Sequence, residues 1–354
     1  MTHLEQLMKG LDGICDCAII NDTVNRRYFT GMKSSDGYLV VFKDAAYLII
    51  DFRYIEKARQ TAKGCEVILQ DKKYSQINEL IVKHNASVAA VDTQTCTVDQ
   101  FSAFKNALKA DVTDSNALSK LIRDIRCVKS QDEIDNMISA QRIAEKGLEH
   151  ILDIVRPGMT EREVRLELDN YMLRNGAEEL SFDTIALSGS NTSLPHGVPS
   201  DKKIQAGEFV LLDFGAVVNG YHSDMTRTFC IGEPSEKMRR VYDIVLKAQL
   251  AALDAVKAGM TGKALDSVAR DIITAEGFGK NFGHSLGHGV GMEIHEMPYA
   301  SPNTDDILPE NSVVTVEPGI YLEGEFGVRI EDFVVVKKDG CENMTKAEKK
   351  LIIV

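Results

Sequence analysis

The sequence predicts a two-domain protein of the α/β (α+β) class. Short apolar runs alternate with helical patterns up to about residue 125, and this alternation is typical of a layered α/β sheet. Beyond residue 128, the order helix, helix, loop and β-hairpin occurs twice, which indicates a duplicated α/β unit. With 354 residues, of which 44% are hydrophobic, the chain is long enough to form two domains.

The N-terminal region, residues 1–127, contains five apolar runs with strand composition and four helical patterns. The predicted strands are Cys17–Ile20, Tyr38–Phe42, Ala46–Ile50, Glu66–Leu69 and Val88–Val91, and the predicted helices lie near residues 4–11, 54–62, 75–84 and 98–108. Residues 25–31 are predicted to form a polar and aromatic loop. This region has no glycine-rich phosphate loop, so by itself it indicates no function.

The C-terminal region, residues 128–354, begins with the first copy of the repeated unit. The predicted elements are helices over residues 130–155 and 161–175, a strand over 184–187 and a hairpin over 210–229. Ser130 and Glu133 form a capping-box pattern at the start of the first helix. The hairpin turns at Asn219-Gly220, a dipeptide typical of tight β-hairpins.

The second copy follows about one hundred residues later. Its predicted elements are helices over residues 235–256 and 262–276 and a hairpin over 313–335. The segment Arg156-Pro-Gly-Met-Thr160 recurs as Lys257-Ala-Gly-Met-Thr261 at an offset of 101 residues, and the frame His196-x-x-Pro199 recurs as His295-x-x-Pro298 at an offset of 99. Several matches at nearly constant offset are explained better by duplication than by chance.

Each repeated hairpin carries one carboxylate in each arm. Asp213 and Asp224 lie in the first hairpin, and Glu317 and Glu331 follow them at offsets of 104 and 107 residues in the second. For the first hairpin alone, a turn aspartate and a surface aspartate are an equally good interpretation. If the two halves face each other about a pseudo-two-fold axis, however, the four carboxylates meet, and two divalent cations would compensate their charge.

Residues 282–298 contain three of the eight histidines of the chain: His284, His288 and His295. Glycine occupies every second position from 287 to 291, which predicts a backbone packed closely against its neighbours. A single histidine is more often a structural residue than a metal ligand. Three histidines among glycines, beside four placed carboxylates, favour a metal site.

These residues resemble the metal site of the pita-bread metallopeptidases, a family that includes methionine aminopeptidase, aminopeptidase P, prolidase and the metal-free creatinase. The positions that match the five metal ligands of the family are Asp213, Asp224, His288, Glu317 and Glu331. The resemblance implies that Asp224 and Glu331 bridge two ions. Asp213 would complete one site, and His288 with Glu317 would complete the other. Mn²⁺ is the predicted metal, and Co²⁺ and Zn²⁺ can bind the same set.

The resemblance also implies the branch of the family. The N-terminal region is similar to the creatinase/prolidase-type α/β domain, which would precede a pita-bread domain built from two pseudo-two-fold-related halves. Methionine aminopeptidases usually lack both this domain and the arginine that stands here at Arg329. The proline-specific branch has that arginine together with residues that match His196, His284, His295 and Tyr321.

The implied activity is hydrolysis of the bond between an N-terminal residue and a following proline, by a water that the two ions activate. His196 would contact the tetrahedral intermediate, His295 would carry a proton to the leaving nitrogen, and His284 would bind the substrate near its proline. Two substrate classes stay open. Aminopeptidase P accepts longer peptides and is slightly favoured, whereas prolidase accepts only Xaa-Pro dipeptides and must bind their free carboxylate.

Residues of the N-terminal domain close off the substrate in some members of this family. Arg26, Arg27 and Tyr28 are candidates for such a contact, although a solvated loop is the favoured interpretation. A homodimer is the expected assembly. A non-catalytic peptide-binding relative is a further alternative, but such relatives usually lack metal ligands, and all five are present here.

Composition excludes several other classes. A formal net charge of −12 argues against nucleic acid or an anionic membrane as the main partner. Seven cysteines without a CxxC pair suggest reduced thiols in the cytoplasm. We also expect no signal peptide and no membrane helix, because the sequence has neither a basic and apolar leader nor an apolar run of about 20 residues.

Overall fold

The chain, which a computed structural model describes over residues 1–354, divides into two units with separate hydrophobic cores. Residues Met1–Arg126 form the first unit, and Cys127–Val354 form the second. In each unit, the apolar faces of the helices and strands pack together and are buried. None of the helices has both the length and the apolar composition that are needed to cross a bilayer.

The N-terminal unit is built on a six-stranded mixed sheet. Its strands are β1 (Cys17–Ile20), β2 (Tyr38–Phe42), β3 (Ala46–Ile50), β4 (Glu66–Leu69), β5 (Val88–Val91) and β6 (Asp111–Thr113), and its helices are α1 (His3–Gly10), α2 (Thr23–Thr30), α3 (Ile55–Thr61), α4 (Lys73–Lys83), α5 (Val98–Ala107) and α6 (Ala117–Cys127). The strand order is β4-β3-β2-β1-β5-β6. All five predicted strands occur at the predicted residues, whereas β6 and α6 were not predicted.

The prediction of a solvated loop at residues 25–31 is wrong. These residues belong to helix α2, which Asp22 caps by accepting a hydrogen bond from the Asn25 N–H at 2.7 Å. Gly31 ends the helix with a φ of 73°, a left-handed conformation that glycine adopts without strain. The Arg26 side chain is buried and donates to the Ser34 carbonyl, and Tyr28 is buried as well, while Arg27 is half-buried.

The first half of the C-terminal unit contains a helix pair and a set of short strands. The helices are α7 (Gln131–Ile154) and α8 (Glu161–Arg174), and the strands are β7 (Glu179–Leu180), β8 (Ile185–Ser188), β9 (Phe209–Phe214), β10 (Ala216–Val218), β11 (Tyr221–His222) and β12 (Met225–Cys230). The predicted capping box is present, because the Ser130 N–H donates to the Glu133 carboxylate at 2.7 Å and the Glu133 N–H donates to the Ser130 hydroxyl at 3.4 Å.

The second half repeats this order. Its helices are α9 (Glu236–Ala255) and α10 (Gly262–Ala275), and its strands are β13 (Gly287–Gly289), β14 (Glu296–Ala300), β15 (Val313–Val316), β16 (Gly319–Leu322), β17 (Phe326–Arg329), β18 (Asp332–Lys337) and β19 (Gly340–Asn343). Thr160 caps α8, and Thr261, at the equivalent position, caps α10. The repeated Gly-Met-Thr segments are therefore helix starts.

Each hairpin is split into an outer and an inner pair of strands. In the first hairpin β9 pairs with β12 and β10 pairs with β11, and in the second β15 pairs with β18 and β16 pairs with β17. Both central residues of the predicted turn, Asn219 and Gly220, have positive φ values of 52° and 85°, as a tight hairpin turn requires. The sequence analysis placed two arms in each hairpin, and the breaks within those arms are an additional feature of the structure.

The two halves pack their helices on their hairpins in the same way. Leu148 of α7 and Leu168 of α8 lie in one buried cluster with Leu212 of β9. Val245 of α9 lies in another with Val334 of β18. Helices and hairpin sheets of each half therefore share a core, which holds the hairpins in place.

A buried ion pair joins the two hairpins. Arg227 of β12 donates to the Asp332 carboxylate of β18 at 2.7 Å, and both side chains are almost completely shielded from solvent. Lys349 also contacts Asp332 at 2.7 Å. Burial alone would raise the pKa of Asp332, but Arg227 and Lys349 outweigh it and hold the pKa below its usual value.

Substitution of Asp332 should therefore destabilise the C-terminal unit strongly. Asp332→Asn leaves the Arg227 guanidinium buried without a counter-charge, for which we expect a loss of about 3–5 kcal/mol in the free energy of unfolding. The matched control is Asp339→Asn in the neighbouring turn, where the side chain is exposed and forms no ion pair. Chemical denaturation measures both variants, and equal stabilities would contradict the assigned role of the pair.

Because the pKa of Asp332 is lowered, its contribution to stability is present above the unfolded-state pKa. It is lost as the pH falls through the lower, folded-state value.

Candidate metal centre

The four predicted carboxylates meet in one cavity of about 470 Å³ in the C-terminal unit. Nine of the ten predicted site residues line it: His196, Asp213, Asp224, His284, His288, His295, Glu317, Arg329 and Glu331. The tenth, Tyr321, reaches it through hydrogen bonds to His284 and Arg329. Residues that the prediction did not include, among them Phe182, Ile185 and Ile294, form apolar parts of the wall.

The split hairpins explain how the carboxylates converge. Asp213 lies on β9, in register with Thr226 on β12 and Ile185 on β8, so these three side chains share one face of the sheet. Asp224, Glu317 and Glu331 each lie in a break between an outer and an inner strand. Within a strand, successive side chains must point to opposite faces of the sheet. A break removes this restriction, so the three side chains can turn toward the Asp213 face.

His288 presents a lone pair to two of the carboxylates. Its Nδ1 lies 3.0 Å from the Gly289 carbonyl oxygen, which can only accept, so Nδ1 carries the proton and Nε2 is the free acceptor. Nε2 lies 3.6 Å from an Asp224 oxygen and 3.4 Å from a Glu317 oxygen. Ligand atoms of Asp224, His288 and Glu331 all lie within 4.8 Å of one another.

Only one of the two carboxylate oxygens of Asp213 has a hydrogen-bond donor in the protein. Its Oδ2 accepts a hydrogen bond from Arg329 Nη2, while its Oδ1 is buried without a hydrogen-bond partner in the protein. A buried carboxylate oxygen without a donor is costly. A cation would satisfy it.

The electrostatics of the cavity also favour cations. Burial, opposed by Arg329 and reinforced by Asp213, raises the pKa of Glu317 to about 8. Burial and the neighbouring carboxylates raise the pKa values of Asp224 and Glu331 well above the usual range, and burial lowers the pKa of His288 to about 4. Four carboxylates and a neutral imidazole match two divalent cations in charge and in ligand chemistry, so the residues present fit such a centre.

Two threonines hold ligand oxygens and were missed by the sequence analysis. Thr226 Oγ accepts from Arg329 Nε at 3.0 Å and donates to Glu331 Oε2 at 2.7 Å. Thr315 Oγ accepts from the His288 N–H at 3.0 Å and donates to Glu317 Oε1 at 3.1 Å. Since each threonine stands two residues from a ligand, at the spacing of one strand face, the sequence did contain a signal.

A hydrogen-bonded chain links Arg329 to His284. Arg329 Nη1 donates to the Tyr321 hydroxyl at 2.7 Å, so the Tyr321 proton is directed to His284 Nε2 at 3.0 Å. His284 Nδ1 then donates to the Ser285 carbonyl at 2.8 Å. Both ring nitrogens are thus occupied in a neutral imidazole, and burial together with Arg329 lowers the pKa of His284 to about 4.

The other two histidines stay closer to solvent. The His295 ring lies against the His288 ring at a centroid distance of 4.3 Å, and burial and His196 lower its pKa. His196 is exposed on the cavity wall. The catalytic roles assigned to these residues stay predictions.

The glycine alternation agrees with close backbone packing. A side chain at Gly287 would collide with the Thr315 carbonyl, and one at Gly289 would collide with the Met297 carbonyl. These contacts bring β13, which carries His288, directly against β14 and β15.

A buried carboxylate cluster with one imidazole, on a duplicated hairpin scaffold, has the ligand chemistry of a two-metal hydrolase. Residues 135–338 match Metallopeptidase family M24, and residues 1–128 match the Creatinase/Prolidase N-terminal domain. The chain belongs to metallopeptidase family M24. The predicted fold class, a creatinase/prolidase-type domain followed by a pita-bread domain, is confirmed, as is the prediction of a metallopeptidase.

Individual relatives resemble the whole chain. A protein of Pyrococcus furiosus named Xaa-Pro dipeptidase is 40% identical over 352 residues, which cover 99% of both chains. Among solved structures, an Xaa-Pro dipeptidase from Bacillus anthracis has a TM-score of 0.96 at 40% identity and 99% coverage of both chains. An X-Pro aminopeptidase from Thermotoga maritima has a TM-score of 0.90 at 37% identity, covering 98% of this chain and 100% of that one.

Removal of the Thr226 hydroxyl should weaken metal binding. Thr226→Val keeps the shape of the side chain but leaves Arg329 Nε and Glu331 Oε2 without their shared partner, so we expect about a 10- to 100-fold loss of affinity for Mn²⁺. Thr226→Ser, which retains the hydroxyl, is the matched control and should bind as the unmodified protein does. Isothermal titration measures both, and unchanged affinity in Thr226→Val would refute the assignment.

The metal-free protein should lose stability as the pH rises. The pKa of Glu317 is raised from an ordinary 4.5 to about 8. The stabilisation by its protonated form is therefore complete below about pH 4.5 and lost as the pH passes through about 8. We expect the thermal midpoint of the metal-free protein to fall over this range, whereas metal-loaded protein should not follow that trend. Glu317→Gln, which stays neutral, should reduce the slope, and an unaltered slope would count against this origin.

Proposed function

We propose that this protein is an Xaa-Pro dipeptidase, a prolidase, that works with two divalent metal ions. The observation that carries the proposal is the buried set of four carboxylates and one imidazole in a confined cavity. The names of the relatives from Pyrococcus furiosus and Bacillus anthracis support the dipeptidase over the aminopeptidase that the sequence analysis slightly favoured. The similarity to the Thermotoga maritima protein keeps an X-Pro aminopeptidase as the second candidate.

The predicted ligand set assigns a position to each metal. Asp224 and Glu331 would bridge the two ions, Asp213 would complete one site, and His288 with Glu317 would complete the other. When bound, the ions would lower the pKa of a water molecule and polarise the scissile carbonyl. Mn²⁺ is the proposed metal, since hard carboxylate ligands dominate the set.

The remaining side chains would bind and orient the substrate. His196, on the cavity wall, would donate a hydrogen bond to the oxyanion that forms on the carbonyl before proline. His295 would carry a proton to the leaving imino nitrogen. His284 has both nitrogens engaged, so its contact with substrate would use the ring face, which suits the apolar proline ring.

Arg329 would act through the groups that it contacts. It donates to Asp213, Thr226 and Tyr321. One guanidinium therefore contacts a predicted metal ligand, the threonine that binds a second predicted ligand, and the tyrosine beside His284. Its planar donor geometry suits this task, which a lysine could not perform. A homodimer is proposed as the assembly on the family resemblance, and sedimentation equilibrium would test it.

Peptides of two lengths test the proposed activity. Protein loaded with Mn²⁺ should hydrolyse Gly-Pro but not Gly-Pro-Xaa tripeptides, and removal of the metal with a chelator should abolish turnover until Mn²⁺ is added back. Glu331→Gln should be inactive and should lose at least one bound ion. The matched control is Glu325→Gln, because Glu325 is exposed on the second hairpin and pairs with Lys237.

The outcomes separate the alternatives. Comparable hydrolysis of Gly-Pro-Xaa would assign the aminopeptidase activity instead. Absence of turnover of both peptides by metal-loaded protein would contradict the enzymatic function and favour a peptide-binding relative. Full metal content in Glu331→Gln would refute the bridging assignment.

A further inference from the structure

Glu161 is a buried carboxylate that the proposed mechanism does not use. It occupies the first position of helix α8, and only 1% of its surface is exposed. No lysine, arginine or histidine forms an ion pair with it, and it does not line the metal cavity. The Lys202 carbonyl accepts from the Glu161 N–H at 3.1 Å, but the Lys202 ammonium group contacts Ser188 and Glu208 instead. A buried carboxylate without a cation requires hydrogen-bond donors.

Three residues supply those donors. Glu161 Oε1 accepts from the Ser188 N–H at 2.7 Å, from the Ser188 hydroxyl at 3.1 Å and from the Asn191 amide at 3.0 Å. Glu161 Oε2 accepts from the Ser200 N–H at 3.0 Å, from the Ser200 hydroxyl at 2.7 Å and from the same Asn191 amide at 3.2 Å. Both carboxylate oxygens therefore accept several hydrogen bonds.

The donors lie at the two ends of one segment. Residues 188–200, the histidine loop, run from the end of β8 past His196 to Ser200. Ser188 and Asn191 bind Glu161 at the start of the loop, and Ser200 binds it at the end. In its middle, the Pro195 carbonyl accepts from Arg329 Nη1 at 3.4 Å. A single carboxylate thus closes the loop that presents His196 to the cavity.

The equivalent position of the duplicated half also packs closely against the segment beside its histidine. At the repeat offset of 101 residues, Glu161 corresponds to Gly262, which is likewise the first residue of its helix. A side chain at Gly262 would collide with the Tyr299 carbonyl, in the strand that directly follows His295. The first helix position therefore packs against a segment that carries or follows a histidine in both halves, through a side chain in one and through the backbone in the other.

We infer that Glu161 is a positioning residue that fixes His196 beside the metal centre. The inference rests on the proposed function, since it gives His196 a task in catalysis. Loss of the carboxylate would release both ends of the histidine loop while leaving every predicted metal ligand in place. Small displacements of a catalytic group are enough to reduce turnover about 100-fold.

Glu161→Gln tests the inference, because its amide nitrogen would face N–H donors in either orientation. We expect kcat/KM for Gly-Pro to fall about 10- to 100-fold. The Mn²⁺ stoichiometry should be unchanged. Glu163→Gln is the matched control: it lies in the same helical turn, its carboxylate bonds only to Thr160, and glutamine can keep that capping contact, so the loop is not touched. Ser200→Ala removes one hydroxyl and serves as a milder variant if Glu161→Gln does not fold.

A double-mutant cycle separates positioning from general stability. If Glu161 acts through His196, its substitution should cost little further activity in a His196→Ala background. A full, additive loss there, or a loss of metal, would overturn the inference. If His196→Ala alone leaves kcat/KM unchanged, the proposed task of His196 is wrong.

Hydrogen exchange provides a readout that does not depend on substrate. Backbone amides of residues 188–200 should exchange faster in Glu161→Gln than in Glu163→Gln. Unchanged exchange would overturn the inference even if the proposed peptidase activity were correct. If the protein hydrolyses neither peptide but exchange is faster in Glu161→Gln, the role of Glu161 in the loop is supported and the proposed peptidase function is wrong.

Discussion

The mutual repulsion of four buried carboxylates is the constraint on which the C-terminal unit depends. In a cavity largely removed from water, their charges can be balanced by protons, by protein cations or by bound metal. Arg329 is the one arginine that lines the cavity, and among the four carboxylates it donates directly to Asp213. The other carboxylates must keep protons or bind cations, as the raised pKa of Glu317 illustrates. The scaffold therefore holds together groups that repel one another until metal is bound.

This constraint explains why carboxylates of each half are held by side chains of the other half. Asp213 belongs to the first half and is held by Arg329 of the second, whereas Glu331 belongs to the second half and is held by Thr226 of the first. The buried pair between Arg227 and Asp332 also crosses between the halves. A ligand held only from within its own half could move with that half. Crosswise donors make the geometry of the centre depend on correct docking of both halves.

Periodicity and repetition allowed much of this to be predicted from the sequence. Strand runs and helix starts follow local chemistry, and the repeat offset between Asp213 and Glu317 predicted that the four carboxylates would meet. The rest depends on contacts that no local pattern records. Helix α2 was missed because its polar residues are buried by partners distant in sequence, as Asn25 is by Asp92, 67 residues away. Glu161 was missed because Ser200, one of its partners, lies 39 residues away and becomes its neighbour only in the folded chain.

Few polar groups beside the predicted metal ligands are free to bind the far end of a peptide. Arg329 is the only arginine lining the cavity, which has no lysine, and four of its five N–H groups bond within the protein. His284 is neutral with both nitrogens occupied. The metal centre thus has little left with which to bind a terminal carboxylate, because its fixed donors already serve the ligands. Relatives named for dipeptidase and aminopeptidase activity accordingly share this fold. In the proposed dipeptidase, the group that binds the free carboxylate would therefore lie outside the predicted ligands and Arg329.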